Sequence, residues 1–358
     1  MRCSVNGLKA VVPILVFVTA CGVSDGNADA NADLGADVAV GTDAALDITS
    51  DLDVARDSDS GPEILEDAGG DASDVFEMPD YAGVPIDYAE PIRMMTFNLR
   101  TPFADEGDRR WDNRKEAVVA QLEDYSPDIL VVQEALLVPQ LDYLKNEIPR
   151  LDWVGMDNSG TVYFDEYAAI FFDHTKFVVL DWKTFALSDT PDVLPSQISD
   201  EQKFPRAVTW GHFLRISDGF QFDIFSTHWD HAEVDGIREE MARITIEQMD
   251  ILTEGRPALI GADFNCGYDS LPYNIMVGKA EWNGVSGDLT DVWVELGLPE
   301  EGTYHSWEGV AKPTSRIDWL LRNDGFVGVS ADVLTSTYLG LMTSDHFPVV
   351  AEFAIRTP

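Results

Sequence analysis

The sequence predicts an α/β fold of two mixed β-sheets packed together with helices outside, and three observations carry that expectation. From Pro91 onward, apolar and β-branched runs outnumber helical patterns. Many of those runs follow one another with only a turn between them, which disfavours a simple doubly wound parallel sheet. One strand–helix–strand passage near the start of this region is the pattern of a sheet covered by a helix.

Taken in order, Ile92 to Leu99 reads as the first strand. Trp111, Val118, Val119, Leu122 and Tyr125 then recur at helical spacing, and Asp128 to Val132 is a continuous apolar strand. Further strands are expected at Ala168 to Phe172, Phe177 to Phe185, Ala207 to Ile216, Phe220 to Thr227, Ala258 to Ala262, Ile317 to Leu321 and Val349 to Ile355. Gly236 to Thr253 fits a helix, and Leu187 to Phe204 is a candidate mobile loop.

The 90 residues ahead of this region have a different texture. Residues 1–21 begin with Arg2 and Lys9, continue through an apolar run from Ala10 to Val18, and close on Val18-Thr19-Ala20-Cys21. The run is shorter than the roughly 20 residues a helix needs to span a bilayer, so it reads as an export signal. Small residues before a Cys resemble a lipobox, in which Cys21 is acylated and becomes the anchored N-terminus. Gly22 after it leans toward the outer membrane or cell surface of a bacterium. Residues 22–90 are rich in Asp and Ala, with Arg56 the sole base, and read as an acidic disordered tether. The spacing of its acids does not meet the calcium-loop template. The expected domains are therefore 1–21, 22–90 and 91–358.

Of three cysteines, Cys3 and Cys21 belong to the signal, so Cys266 has no disulfide partner and the folded part must be held by its core. More than half of the formal net charge of -40 falls on residues 91–358. Such a domain lacks the basic footprint of a duplex-binding protein, and nucleic acid is a disfavoured partner. A monomer is expected.

Polar residues cluster at the ends of the apolar runs, where strands would deliver them to one rim. They are Asn98 in Thr-Phe-Asn-Leu, Glu134 in Val-Val-Gln-Glu, His228 in Ser-Thr-His-Trp-Asp-His, Asp263 and Asn265 in Gly-Ala-Asp-Phe-Asn, Asp318 in Arg-Ile-Asp-Trp, and Asp345 with His346 in Ser-Asp-His. Carboxylates and amide oxygens suit Mg2+ or Mn2+, and imidazoles supply proton transfer near neutrality. Singly, each has an ordinary explanation as a turn residue, a solvated acid or a surface histidine. The whole set in this order outweighs them.

In that order the chain resembles the endonuclease/exonuclease/phosphatase superfamily, from about Ile92 to Phe353. The resemblance implies a four-layer sandwich, two central sheets flanked by helices, and a metal-dependent phosphoester hydrolase that attacks phosphorus directly with water. It further implies that Asn98, Glu134 and Asp345 hold the metal, and that Asp263 orients or deprotonates the water. Asn265 would hold a phosphoryl oxygen, His346 oriented by Asp318 would contact the phosphate, and His228 with Glu166 would form a second pair. Arg206 and Trp210 would face the substrate, while His231 has no firm role. Two departures, Ser226 where Asn is usual and Ala262 where Gly is usual, bear on substrate details. A phosphodiester or a phosphomonoester is the expected substrate, the diester foremost. The alternatives are an extracellular nuclease, a phospholipid-headgroup phosphodiesterase and an inactive surface binding module.

Overall fold

The computed structural model describes residues 86–160, 165–232 and 234–356, with the backbone alone for residues 86–89. The expectations for the export signal, Cys21 and residues 22–85 lie outside the described residues. In chain order the elements are β1 Ile86–Asn98, α1 Trp111–Tyr125, β2 Ile129–Ala135, α2 Tyr143–Glu147, β3 Leu151–Val154, β4 Tyr167–Asp173, β5 Phe177–Ala186, β6 Ala207–Arg215 and β7 Gln221–His228. They continue with α3 Ile237–Thr253, β8 Ala258–Asp263, α4 Leu271–Met276, β9 Thr290–Asp291, α5 Val292–Glu295, β10 Asp318–Arg322, β11 Phe326–Val333 and β12 Val349–Arg356.

The strands form two six-stranded sheets, ordered β11-β12-β1-β2-β4-β3 and β5-β6-β7-β8-β10-β9. Both are mixed, because β1–β2 and β7–β8 run parallel while the neighbouring pairs run antiparallel. Alternation along each strand sorts the side chains into layers. In β1 and β2, Ile92, Met94, Ile129 and Val131 face inward and meet Phe213, Phe222, Ile224, Leu259 and Leu320 of the other sheet. The residues between them, Met95, Phe97, Leu130 and Val132, pack outward with Trp111, Val118 and Leu122 of α1. On the far side, Ile260, Ala262, Trp319 and Leu321 pack with Met241, Ile244 and Met249 of α3. Helix, sheet, sheet and helix therefore stack in four layers around three apolar cores.

Strand β1 begins at Ile86, earlier than the pattern from Ile92 suggests, and pairs there with Arg356 of β12. The last residues of the 22–90 segment are thus extended and paired. The Leu187 to Phe204 segment, expected to be mobile, is anchored by buried Gln202, which accepts from the Ile198 amide at 2.8 Å and donates to the Phe204 carbonyl at 2.6 Å.

Candidate active site

Strand direction gathers the polar residues on one rim. The parallel strands β1, β2, β7 and β8 bring their C-terminal ends there: Asn98 and His228 and Asp263 are terminal residues, and Glu134 is next to last in β2. Antiparallel neighbours bring their beginnings to the same rim. Asp318 opens β10 and pairs in register with Asp263, which pairs in turn with His228. Glu166 and Arg206 immediately precede β4 and β6, and Asp345 and His346 lie just ahead of β12. A cleft of about 460 Å³ opens on this rim and is lined by Glu134, Glu166, Arg206, His228, Asp263, Asn265, Asp345 and His346 among others.

Asp263 is the centre, 1% exposed. Its Oδ2 accepts from Asn98 Nδ2 at 2.9 Å and lies 3.5 Å from His228 Nε2 and 3.7 Å from His346 Nε2. Burial and the Asp318 carboxylate hold its carboxyl above the usual range, against the two imidazoles and Asn98. A carboxylate so raised is a better base near neutrality.

The two histidines have opposite electrostatics. His346 Nδ1 meets Asp318 Oδ2 at 2.9 Å. Burial pulls its pKa down, but the carboxylates of Asp318 and Asp263 outweigh burial and hold it well above the ordinary value, so His346 is an imidazolium. His228 is lowered to about 4 by burial and by the Arg206 guanidinium. Arg206 Nη1 lies 2.9 Å from His228 Nδ1, and a guanidinium only donates, so Nδ1 accepts and the neutral ring carries its proton on Nε2, facing Asp263.

Four of the residues to which the resemblance assigns roles, Glu166, Arg206, Trp210 and Asn265, have protein partners of their own. Glu166 Oε2 is 3.7 Å from His228 Nδ1, and Arg206 Nη1, 3.3 Å from the same oxygen, stands between them as the direct partner of the ring. Arg206 is 3% exposed and spends its guanidinium on His228 and Glu166, although it still lines the cleft. Trp210 does not reach the cleft: it sits inside β6 opposite Phe225, packs in the α3-side core, and donates from Nε1 to Asp223 Oδ1 at 2.8 Å. Asn265 has its amide committed to the Trp229 carbonyl at 2.9 Å, and its backbone N–H caps Asp263 Oδ1 at 2.9 Å. His231 lies at the cleft edge with Nε2 2.8 Å from Lys203 Nζ. Ala262 is regular extended backbone paired with Trp319, so its Cβ meets no conformational objection.

Two groups could hold a divalent cation. Glu134 and Asp345 both approach Arg100, at 3.7 and 3.6 Å, with Asn98 donating to Glu134 Oε1 at 3.1 Å. Asp263, Asp318 and His346 form a second, buried group whose ligand atoms lie within 4.8 Å of one another. The first fits Mg2+ or Mn2+ better: it offers hard carboxylate donors, whereas the His346 imidazolium of the second carries a proton on each ring nitrogen and has no lone pair to give. Asp318 Oδ1, buried without a hydrogen-bond partner, is the free donor of the second group.

Sequence reasoning passed over Arg100, Arg114, Lys203 and Tyr304, which line or brace the cleft. Only Arg100, two residues after Asn98, carried a signal, its place in the same strand-end motif.

A sequence profile of the Endonuclease/Exonuclease/phosphatase family matches residues 95–346. A protein of that family from Bacteroides thetaiotaomicron is 29% identical, with a TM-score of 0.66 over 75% of this chain and 100% of its own. A mannosyl-6-phosphatase from Bacteroides thetaiotaomicron VPI-5482 is 30% identical, with a TM-score of 0.65 over 73% of this chain and 99% of its own. Two uncharacterized proteins of Acanthamoeba polyphaga mimivirus are 23% and 25% identical across 51% and 44% of this chain, which spans 32% and 59% of their lengths.

Proposed function

The chain belongs to the endonuclease/exonuclease/phosphatase family, whose members act on phosphoester bonds, and from that premise we propose that it is a Mg2+- or Mn2+-dependent phosphoester hydrolase working outside the cytoplasm. The observation that carries the reading is the convergence of Asn98, His228 and His346 on the buried carboxylate of Asp263.

Glu134 and Asp345, with Asn98 beside them, would hold a divalent cation, which would neutralise charge on the phosphoryl group when bound. The chain's own residues do the rest. Asp263, with its raised pKa, accepts a proton from the attacking water. His346, kept protonated by Asp318, donates to the oxygen that gathers charge, and the neutral His228 offers its Nε2–H as a further donor. Two imidazoles with pKa values pushed apart divide these tasks between them.

Chelation should abolish hydrolysis of an aryl phosphate ester and Mg2+ or Mn2+ should restore it. Asp263→Ala and His346→Ala should each lower kcat by about a thousandfold with unchanged circular dichroism. Metal-independent turnover, or full activity in either variant, would overturn the reading. Export rests on residues 1–21, and loss of membrane fractionation in Cys21→Ala checks it.

A second reading concerns the ester. Arg100, Lys203 and Arg206 line the cleft beside the carboxylates of Glu134, Glu166, Asp263 and Asp345, and a bound divalent cation added to these three bases would suit a dianionic phosphomonoester. The mannosyl-6-phosphatase relative acts on such a sugar phosphate. Parallel assays with aryl monoester, aryl diester, sugar phosphates, sphingomyelin and plasmid DNA separate this reading from the phosphodiester expectation.

A further inference from the structure

Arg100 lines the cleft but moves no proton in the proposed chemistry. Its backbone is left-handed, φ 56°, a conformation that a residue with a Cβ adopts only when its surroundings enforce it. Here they do. Its N–H donates to Asn98 Oδ1 at 2.9 Å, and its carbonyl accepts from Arg114 Nη2 at 3.0 Å and Gln140 Nε2 at 2.9 Å. Arg114 and Gln140 are fully buried, and Arg114 Nη1 also donates to the Thr343 carbonyl at 2.6 Å, tying this turn to the loop that carries Asp345.

The turn so enforced aims the guanidinium at the metal carboxylates. Nη1 is 3.7 Å from Glu134 Oε2, Nε is 3.6 Å from Asp345 Oδ2, and Asp105 Oδ2 accepts from Nε at 2.9 Å. These contacts are longer than hydrogen bonds for the two metal carboxylates and of hydrogen-bond length for Asp105, so the anchor and the targets are different acids. The side chain is 31% exposed and borders the cleft.

We infer that Arg100 is a resident counter-cation of the metal site: facing Glu134 and Asp345, it opposes divalent-cation binding and so sets the affinity, while Asp105 retains it beside the cleft. The inference rests on the metal-dependent reading of this same site. Its role is positioning and electrostatic tuning of the carboxylates. In the metal-free protein it screens two acids that would otherwise repel, and the cost of displacing that screening weakens metal binding. A purely structural role, holding the turn, belongs to the backbone hydrogen bonds, which a side-chain change leaves in place.

Calorimetric titration of the chelator-stripped full chain with Mn2+ tests it, comparing the natural protein with Arg100→Gln and Arg100→Lys. Arg100→Gln should bind Mn2+ at least about tenfold more tightly, and Arg100→Lys, which restores the charge, should lie within about threefold of the natural protein. The midpoint of thermal unfolding of metal-free Arg100→Gln should fall and should recover on saturation with Mn2+. Equal or weaker Mn2+ binding by Arg100→Gln, with the natural protein binding normally, would overturn the inference and leave the metal-dependent reading intact. No Mn2+ binding by the natural protein would remove that reading and the inference with it.

Discussion

His346 and His228 are both buried and both face Asp263, yet their neighbours give them opposite charges. The Asp318 carboxylate on Nδ1 makes one an imidazolium, and the Arg206 guanidinium on Nδ1 keeps the other neutral. Asp318→Asn removes the leading support for the His346 proton, so the alkaline limb of the kcat/KM profile should move to lower pH. At neutrality kcat/KM should drop by about 10- to 100-fold, as measured across a pH series with an aryl phosphate. His228 gives a stability prediction with its own sign. Its folded pKa of about 4 lies below the ordinary 6.5, so between these values the unfolded chain binds a proton that the folded one refuses. Its contribution is therefore complete above pH 6.5 and is lost as pH falls toward 4, by roughly 3 kcal/mol at most. Urea unfolding between pH 4 and 7 in the presence of chelator should show a slope that His228→Gln flattens.

Between residue and molecule, the elements show which patterns a chain displays openly. The central strands β1, β2, β7 and β8 are apolar runs with a polar residue at or next to the C-terminal end, and both features were visible, although the start of β1 at Ile86 was not. Strand β3, with four residues, and β11, interrupted by Gly328, Ser330 and Asp332, lie at sheet edges and lacked a continuous apolar signal. Helix α4 has six residues with Pro272 inside, too short for a 3.6-residue period, and is begun instead by Ser270 accepting from the Tyr273 amide. Trp210 shows the limit of local pattern. Its motif suggested a substrate contact, but the strand alternation places it under α3, where Asp223 satisfies its indole N–H. Gly261 in β8 faces β1 and β2 of the other sheet with no room for a side chain. A Cβ there would stand 2.7 Å from Val131 Cγ2, 2.9 Å from Leu320 Cδ2 and 3.1 Å from Met94 Cε. Gly261→Ala should accordingly lower unfolding free energy by ~1–3 kcal/mol, read from urea denaturation at pH 7.5.

At the scale of the whole molecule, overall acidity coexists with basic side chains in the cleft lining, where Arg100, Lys203 and Arg206 stand among four carboxylates. The net charge of -40 repels polyanions at long range, while Arg100 and Lys203 in the cleft lining would attract a phosphate only once it had come within a few ångströms. On the proposed reading, small esters are turned over in preference to duplex DNA. Raising ionic strength from about 20 to 150 mM should increase any nicking of plasmid DNA, because salt screens the repulsion. A nuclease that relies on a basic footprint would lose activity over the same range, so the sign of the slope in a gel assay decides between them.

From its sequence alone, this protein's two-sheet α/β class and the strand-end residues Asn98, Glu134, His228, Asp263, Asp318 and His346 could be read, because apolar periodicity and polar termini are local properties of the chain. The partner of each of those residues was a matter for tertiary structure. Arg206 replaces Glu166 at His228, and Arg100 stands between Glu134 and Asp345. Such pairings join residues 22 to 245 positions apart, and the register and direction of neighbouring strands, which no local pattern encodes, decide which side chains meet.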